Sequence, residues 1–366
     1  MQISTCMPDR SFWSGKNVFV TGHTGFKGGW LSLWLHRLGA NVTGYSLKPI
    51  TDPCFFQACS INSIGRSIIG DIRDYANLEN SIATANPEII IHMAAQPLVL
   101  ESYKTPLETF ETNLIGTLNI LEIVRKNSSI KALVNVTSDK CYQNNEVQTP
   151  YTEDDAMGGH DPYSSSKGCS ELITSAYRSS FFTETSENSA PACIASARSG
   201  NVIGGGDWSA DRLFPDIFRA IFEKKSIQIR NPQATRPWQH VLEPLRGYLA
   251  LAENLVKNGS AYAQAWNFGP DTQKPASVRT VLEGLVSEWG EPIDIQYEKK
   301  PFQLHEANFL SLDISKASSR LNWTPVLDIS GTISMTCAWY RHFYAGAKEM
   351  REFSLEQIEI YEDSVC

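Results

Sequence analysis

The sequence predicts an α/β protein, a doubly wound parallel sheet through the first half of the chain with a smaller C-terminal α+β lobe after it. Three observations predict it. Short runs rich in Val and Ile alternate with helical patterns up to about residue 200, the order that builds a parallel sheet with helices on both faces. Several of these runs, such as EIIIHMAA at 88–95, are nearly continuously apolar, as strands buried on both faces must be. The alternation then breaks down after 202.

In chain order, Asn17–Thr21 (NVFVT) reads as a buried strand and 25–38 as a helix. Strands are expected at Asn41–Ser46, 67–72, 88–95, 131–138 and 192–201, with helices at 106–126 and 163–182 between them. The polar run TETSENS, 183–189, reads as an exposed loop. Beyond it come a glycine-rich turn at 204–207, an amphipathic helix at 214–223, a strand at Ile227–Ile229 and a helix at 243–258. A boundary near 201 divides the chain into 1–201 and 202–366, with a later segment free to return to the first lobe.

At 366 residues the chain can bury two such lobes. Its net charge of −8 argues against general nucleic-acid binding, although a few local arginines can still hold an anionic small molecule. No apolar stretch reaches the ~20 residues of a membrane span, and MQISTCMPDRSFWSGK lacks the apolar middle of a secretory signal. The eight cysteines, at 6, 54, 59, 141, 169, 193, 337 and 366, form no paired C-x-x-C set, and reduced thiols in a cytoplasm are the simplest reading. The seven histidines show no metal-binding spacing, so no metal is expected.

The first strand runs directly into Gly22-His-Thr24-Gly25-Phe26-Lys27-Gly28, where a helix starts. Glycines there permit a tight turn, close approach of backbone to a pyrophosphate and close helix–strand packing, with the positive helix end facing the phosphates. This is a Rossmann-like fingerprint, and it marks 1–201 as a dinucleotide-binding lobe. Its acidic half is missing: the second strand ends Gly-Tyr-Ser46-Leu-Lys48. Ser46 can bond a ribose hydroxyl, whereas Lys48 tolerates a 2′-phosphate, so NAD and NADP both stay open. Asp71-Ile72, closing the third strand, fits either an adenine contact or a helix cap entering DIRDYANL.

Tyr163 and Lys167 stand four apart at a helix start and share one face. A free tyrosine, with a pKa of ~10, is a poor base, and nearby positive charge favours its phenolate. Ser138 ends a central strand, where ligands of open α/β sheets bind, and can bond the same substrate oxygen.

These residues resemble the extended short-chain dehydrogenase/reductase family through TGHTGFKG (21–28), HMAAQP (92–97), VTSDKCY (136–142), YSSSK (163–167) and ARSGNVIG (197–204). RPWQHV (236–241), NFGP (267–270) and LDISKASSRLNWTP (312–325) extend the likeness over nearly the whole chain. The resemblance implies that the first lobe binds NAD(P), with Ala94, Ala95 and Gln96 contributing beside Tyr163 and Lys167. It implies a nucleoside diphosphate sugar in the second lobe. GWLSLWL, GYSLKP and GGGDWSADRLFPD are most similar to the sugar-nucleotide 4,6-dehydratases of that family. Their acid beside the strand-end Ser/Thr is matched by Asp139, while Lys140 stands where a Glu base often follows. That departure fits CDP-glucose better than dTDP-glucose as substrate and leaves Lys140 either as the base or as a ligand of substrate oxygen. Arg198, Arg212, Arg230 and Arg236 are candidates for the diphosphate, Arg236 foremost by its motif, and Asn201 matches a position that often meets it. His240 is expected to be structural, and Trp208 can line the sugar-nucleotide pocket. A 4-epimerase would share the tyrosine, lysine and cofactor without needing Asp139, and a non-catalytic NAD(P)-sensing protein would not need the Tyr/Lys pair. A homodimer or homotetramer built on helices 106–126 and 163–182 is the family's usual assembly.

Overall fold

The computed structural model describes residues 6–145, 149–183, 192–229, 231–271, 276–297 and 309–365. Seven strands, numbered here in chain order, form one sheet: β1 Asn17–Thr21, β2 Asn41–Ser46, β3 Arg66–Ile69, β4 Ile89–His92, β5 Ala132–Val136, β6 Cys193–Ser199 and β7 Ala265–Phe268. Their spatial order is β7-β6-β5-β4-β1-β2-β3, parallel throughout. Val18 pairs with Val42 on one side and Ile89 on the other. Alternate residues feed two cores: Val18, Val20, Ile89, Ile91 and Val134 pack on one face, and Phe19, Ile90, Leu133 and Ile194 on the other. Strand order reverses between β1 and β4, so the ligand crevice opens at their carboxyl ends.

The expected helix at 25–38 is Phe26–Arg37, and the one at 163–182 is Pro162–Phe181, started by an Asp161 cap and a proline in its first turn. The expected helix at 106–126 is less regular. It comprises Pro106–Phe110, a π-helical turn Glu111–Ile115 and Gly116–Lys126. Asn113 in that turn accepts the Gln96 N–H at 2.8 Å and donates to Ser166 Oγ at 2.9 Å, fastening the bulge to the loop after β4 and to helix Pro162–Phe181. Two strands end sooner than expected. β4 ends at His92: the Met93 N–H is shared between Thr21 O and Thr21 Oγ1, at 3.2 and 3.0 Å, and the Ala94 N–H goes to Thr21 Oγ1 at 3.1 Å. β3 stops at Ile69, leaving Gly70 and Asp71 in the crevice wall. Of the expected loop at 183–189, all but Thr183 lies outside the described residues.

Past residue 201, β7 joins the edge of the main sheet, and helix Leu242–Asn258, buried from 242 to 253, packs against β5 and β6. The remaining small sheets pair Val202–Ile203 with Gln239–His240, Thr235–Arg236 with Ala276–Ser277, and Ile227–Ile229 with Ile295–Tyr297. The last helix, Met350–Val365, lies against Phe26–Arg37, where Glu362 accepts from Trp34 Nε1 and Arg37 Nε at 2.8 and 3.0 Å. Among the described residues, no helix is long and apolar enough to cross a membrane.

Candidate active site

A cavity of about 510 Å³ runs along the carboxyl ends of the strands. At one end lies the glycine turn. Gly22 has φ +80°, and a Cβ there would stand 2.8 Å from the Ala94 nitrogen. A Cβ on Gly28 would stand 2.1 Å from the Gly22 carbonyl oxygen, so only glycine lets the helix close on the turn. Gly25 is exposed at the helix N-cap, and no side chain caps the first-turn N–H groups. This cradle fits the diphosphate of a dinucleotide, which approaches through backbone and meets a positive helix end. Gly28→Ala is expected to destabilise the folded state by ~1–3 kcal/mol and to weaken cofactor binding, measurable by denaturant unfolding and calorimetry.

Around the cradle, Thr24 Oγ1 donates to Leu47 O at 2.9 Å and lies 2.9 Å from Ser46 Oγ, which ties the end of β2 to the turn. Ser46, the exposed Lys48, Ile72, Ala94 and Ala95 all line the cavity, as does Phe26. Asp71 lines it too, but Arg73 engages its carboxylate through Nε and Nη2 at 2.6–3.0 Å and holds it below its usual range. The helix-cap reading of that carboxylate does not stand, because the cap of the following helix is Asp74, and its place on the cavity wall fits the adenine reading. Gln96 is placed differently from its neighbours. It does not line the cavity; its Nε2 donates to Leu98 O and Thr109 Oγ1, and its Oε1 accepts from Leu98 N.

The other end holds the reactive groups. Ser138, Asp139, Tyr163 and Lys167 are all buried and line the cavity together with the half-buried Lys140. Burial pushes the Tyr163 phenol up to about 12, against a hydrogen bond from Ser138 that favours the phenolate. Lys167 donates to Val136 O at 3.4 Å, and burial together with the neighbouring Lys27 ammonium lowers it to about 8. Burial raises the Asp139 carboxyl, against the attraction of Lys140. Its Oδ1 accepts from Ser138 Oγ at 3.0 Å, while Oδ2 has no hydrogen-bond partner among the described residues. Burial thus favours the protonated form of this carboxyl, the form a proton donor needs.

Sequence reasoning missed what lies underneath. Glu171 continues the Tyr163–Lys167 stripe by another four residues. It accepts from Thr137 Oγ1, Ser196 Oγ and Arg198 Nη2 at 2.5, 2.7 and 2.8 Å. Burial alone would raise this carboxyl, yet Arg198 holds it below its usual value. Arg198 is therefore an internal strut that also donates to Tyr142 OH at 2.7 Å, not a diphosphate ligand. Because Glu171→Ala strands a buried guanidinium, it is expected to cost ~3–5 kcal/mol of stability in urea unfolding.

Asn201, Arg212 and Arg236 line the cavity at the second-lobe side, where Arg212 Nη1 meets Asp207 Oδ2 at 2.9 Å. Arg230 lies outside the described residues. Trp208 lines the cavity and packs against Trp339, Tyr340 and Phe343. His240 is buried, its Nδ1 accepting from Leu242 N at 3.3 Å. The described residues contain no group of His, Cys, Asp and Glu that could hold a metal.

Residues 19–336 match the family model described as GDP-mannose 4,6 dehydratase. The chain belongs to that family of extended short-chain dehydrogenases/reductases. This member of the family is 48% identical to CDP-glucose 4,6-dehydratase of Salmonella typhimurium, over 97% of this chain and 98% of the relative. Its fold is shared at lower identity. A dTDP-glucose 4,6-dehydratase from Bacillus anthracis, solved in complex with NAD, superposes with a TM-score of 0.74 at 21% identity, over 92% of this chain and all of that one (100%). A UDP-glucose 4-epimerase from Stenotrophomonas maltophila, solved with NAD and formylated UDP-arabinopyranose, gives 0.78 at 20% identity, over 91% and 100%.

Proposed function

We propose that this protein is an NAD-dependent sugar-nucleotide 4,6-dehydratase that converts CDP-glucose to CDP-4-keto-6-deoxyglucose and water. The carrying observation is the buried Asp139, disposed to keep its proton beside Ser138 and Tyr163. The 48% identity to a CDP-glucose 4,6-dehydratase over nearly the full length supports the substrate. When bound on the glycine cradle, NAD supplies a hydride acceptor that gives the hydride back within the same turnover, so none is consumed.

Tyr163 takes the proton of the sugar 4-hydroxyl while Ser138 holds that oxygen. The 4-ketone acidifies the proton on carbon 5. Asp139 then gives its proton to the departing 6-hydroxyl, and Lys140 serves the same sugar as the carbon 5 base or as a donor to its oxygens. Lys167 supports the phenolate with positive charge. Asn201, Arg212, Arg230 and Arg236 are assigned to the substrate diphosphate, with 1–201 as the cofactor lobe and 202–366 mainly as the sugar-nucleotide lobe. A 4-epimerase would have no use for a protonated Asp139. A homodimer or homotetramer completes the reading, supported by exposed Leu107, Ile115, Leu172 and Phe181 on the two helical segments expected to pair. The free thiols of the described cysteines support a cytoplasmic setting.

The test incubates the protein and NAD separately with CDP-glucose, dTDP-glucose, UDP-glucose and GDP-mannose. Near-ultraviolet absorbance of keto sugars in alkali, with loss of water by mass spectrometry, is expected from CDP-glucose alone. Water loss from no donor overturns the reading and returns the epimerase to the front.

A further inference from the structure

We propose that Lys27 tunes the cofactor: its ammonium, fixed at the end of β6, favours the neutral reduced nicotinamide over the oxidised cation and so retains the hydride while water leaves. The inference rests on the cofactor reading above. Lys27 leaves the glycine turn, yet its side chain runs away from the phosphate cradle. Its Nζ donates to Ser199 Oγ and to Tyr248 OH, each at 3.0 Å, and those two hydroxyls lie 2.7 Å apart. It also sits 5.2 Å from the centre of the Tyr248 ring. Three elements thus fix the ammonium: the turn, β6 and the buried helix Leu242–Asn258.

Its position follows from register. Val136 pairs with Ala197, which sets the ends of β5 and β6 side by side and brings Ser199 next to Ser138. If Tyr163 deprotonates the 4-hydroxyl, the hydride leaves the same carbon, so the nicotinamide has to lie beside Ser138, Tyr163 and Lys167. Lys27 shares that compartment. The charged groups facing it are Arg212, Lys167 and Asp139, with the hydroxyls of Tyr163, Ser199 and Tyr248 around them. Two lysines, Lys27 and Lys167, face each other here, Arg212 is already paired with Asp207, and burial disfavours the Asp139 anion, which tips the local charge toward positive. Burial and Arg212 lower the Lys27 amine to about 7, as expected for a cation set in such surroundings. Oxidation of carbon 4 passes two electrons and a proton as hydride to the nicotinamide cation and cancels its charge. A fixed cation in a low-dielectric pocket therefore favours the products of that step.

The test measures dissociation constants of NADH and NAD for wild type, Lys27→Met and Lys27→Arg without sugar, by calorimetry at pH 6 and pH 9. At pH 6 the preference for NADH is expected to be about tenfold greater in wild type than in Lys27→Met, equivalent to ~30 mV in the potential of the bound couple. Lys27→Arg is expected to keep the preference at pH 6 and, at pH 9, to keep more of it than wild type, because Lys27 has then lost its proton while Lys167 titrates alike in both. Equal preference in wild type and Lys27→Met at pH 6, both folded by thermal unfolding, overturns the proposal, as does a Lys27→Arg preference that fades with pH like wild type. A wild type that binds neither nucleotide sinks the cofactor reading together with this one. A shifted preference in a protein that dehydrates no donor leaves the tuning standing and sinks the dehydratase.

Discussion

Tyr163→Phe is expected to lower the turnover of CDP-glucose by ~10³ while leaving the fold and the cofactor affinity intact. The phenol is buried and its hydroxyl meets Ser138, so removing one oxygen deletes the proton acceptor without opening a cavity. Because burial holds the phenol near 12, its usefulness as a base depends on the positive charge that gathers around it on loading. The variant should therefore fail at the first step, with neither keto sugar nor reduced nicotinamide appearing in a single turnover. Keto-sugar formation at the wild-type rate would remove Tyr163 from the reaction.

Asp139→Asn is expected to fail later. Turnover should fall by ~10²–10³, yet oxidation at carbon 4 needs only Tyr163, Ser138 and Lys167. Reduced nicotinamide should then accumulate on mixing with CDP-glucose, visible by its absorbance, instead of appearing only transiently. The wild-type pH profile gives a second sign. Burial raises the Asp139 carboxyl and its working form is protonated, so elimination is present below the raised pKa and lost as pH rises through it. The asparagine variant should lack that limb. If it dehydrates at the wild-type rate, Asp139 is not the acid.

Much of this was legible in the chain. NVFVT followed by glycines, EIIIHMAA, and Tyr163 four residues before Lys167 carry periodicities that depend on near neighbours, and such neighbours determine strands, turns and helix faces. Contacts between distant segments left weaker marks. β7 is four residues, AWNF, too short to announce that it returns to the main sheet from beyond residue 201. The π turn at Glu111–Ile115 arises from the partners of Asn113, which lie on the loop after β4 and on another helix. The direction of Lys27 follows from Ser199 and Tyr248, more than 170 residues away. Two signals could have been used. Arg73 stands two residues from Asp71, close enough to claim its carboxylate, and Glu171 stands four beyond Lys167 on the same face.

The packing of Met350–Val365 on Phe26–Arg37 bears on how the protein is made. Tyr361 donates to Glu243 at 2.7 Å and accepts from Arg246 Nε at 2.9 Å, deep beneath the lobe whose first strand begins at Asn17. Glu253 likewise accepts the Asp9 N–H at 2.8 Å. The opening segments of the chain thus wait for the final ones. During synthesis the sheet lacks its edge strand until residue 268 emerges, and the Trp34 side of Phe26–Arg37 lacks its cover until residues 350–365 follow. Until then Trp34 lacks the Tyr361 ring and the Glu362 carboxylate that cover it, whereas Trp30 already has Phe55 to stack on. The outer face of the nucleotide-motif helix is thus finished by a segment more than 300 residues further along the chain.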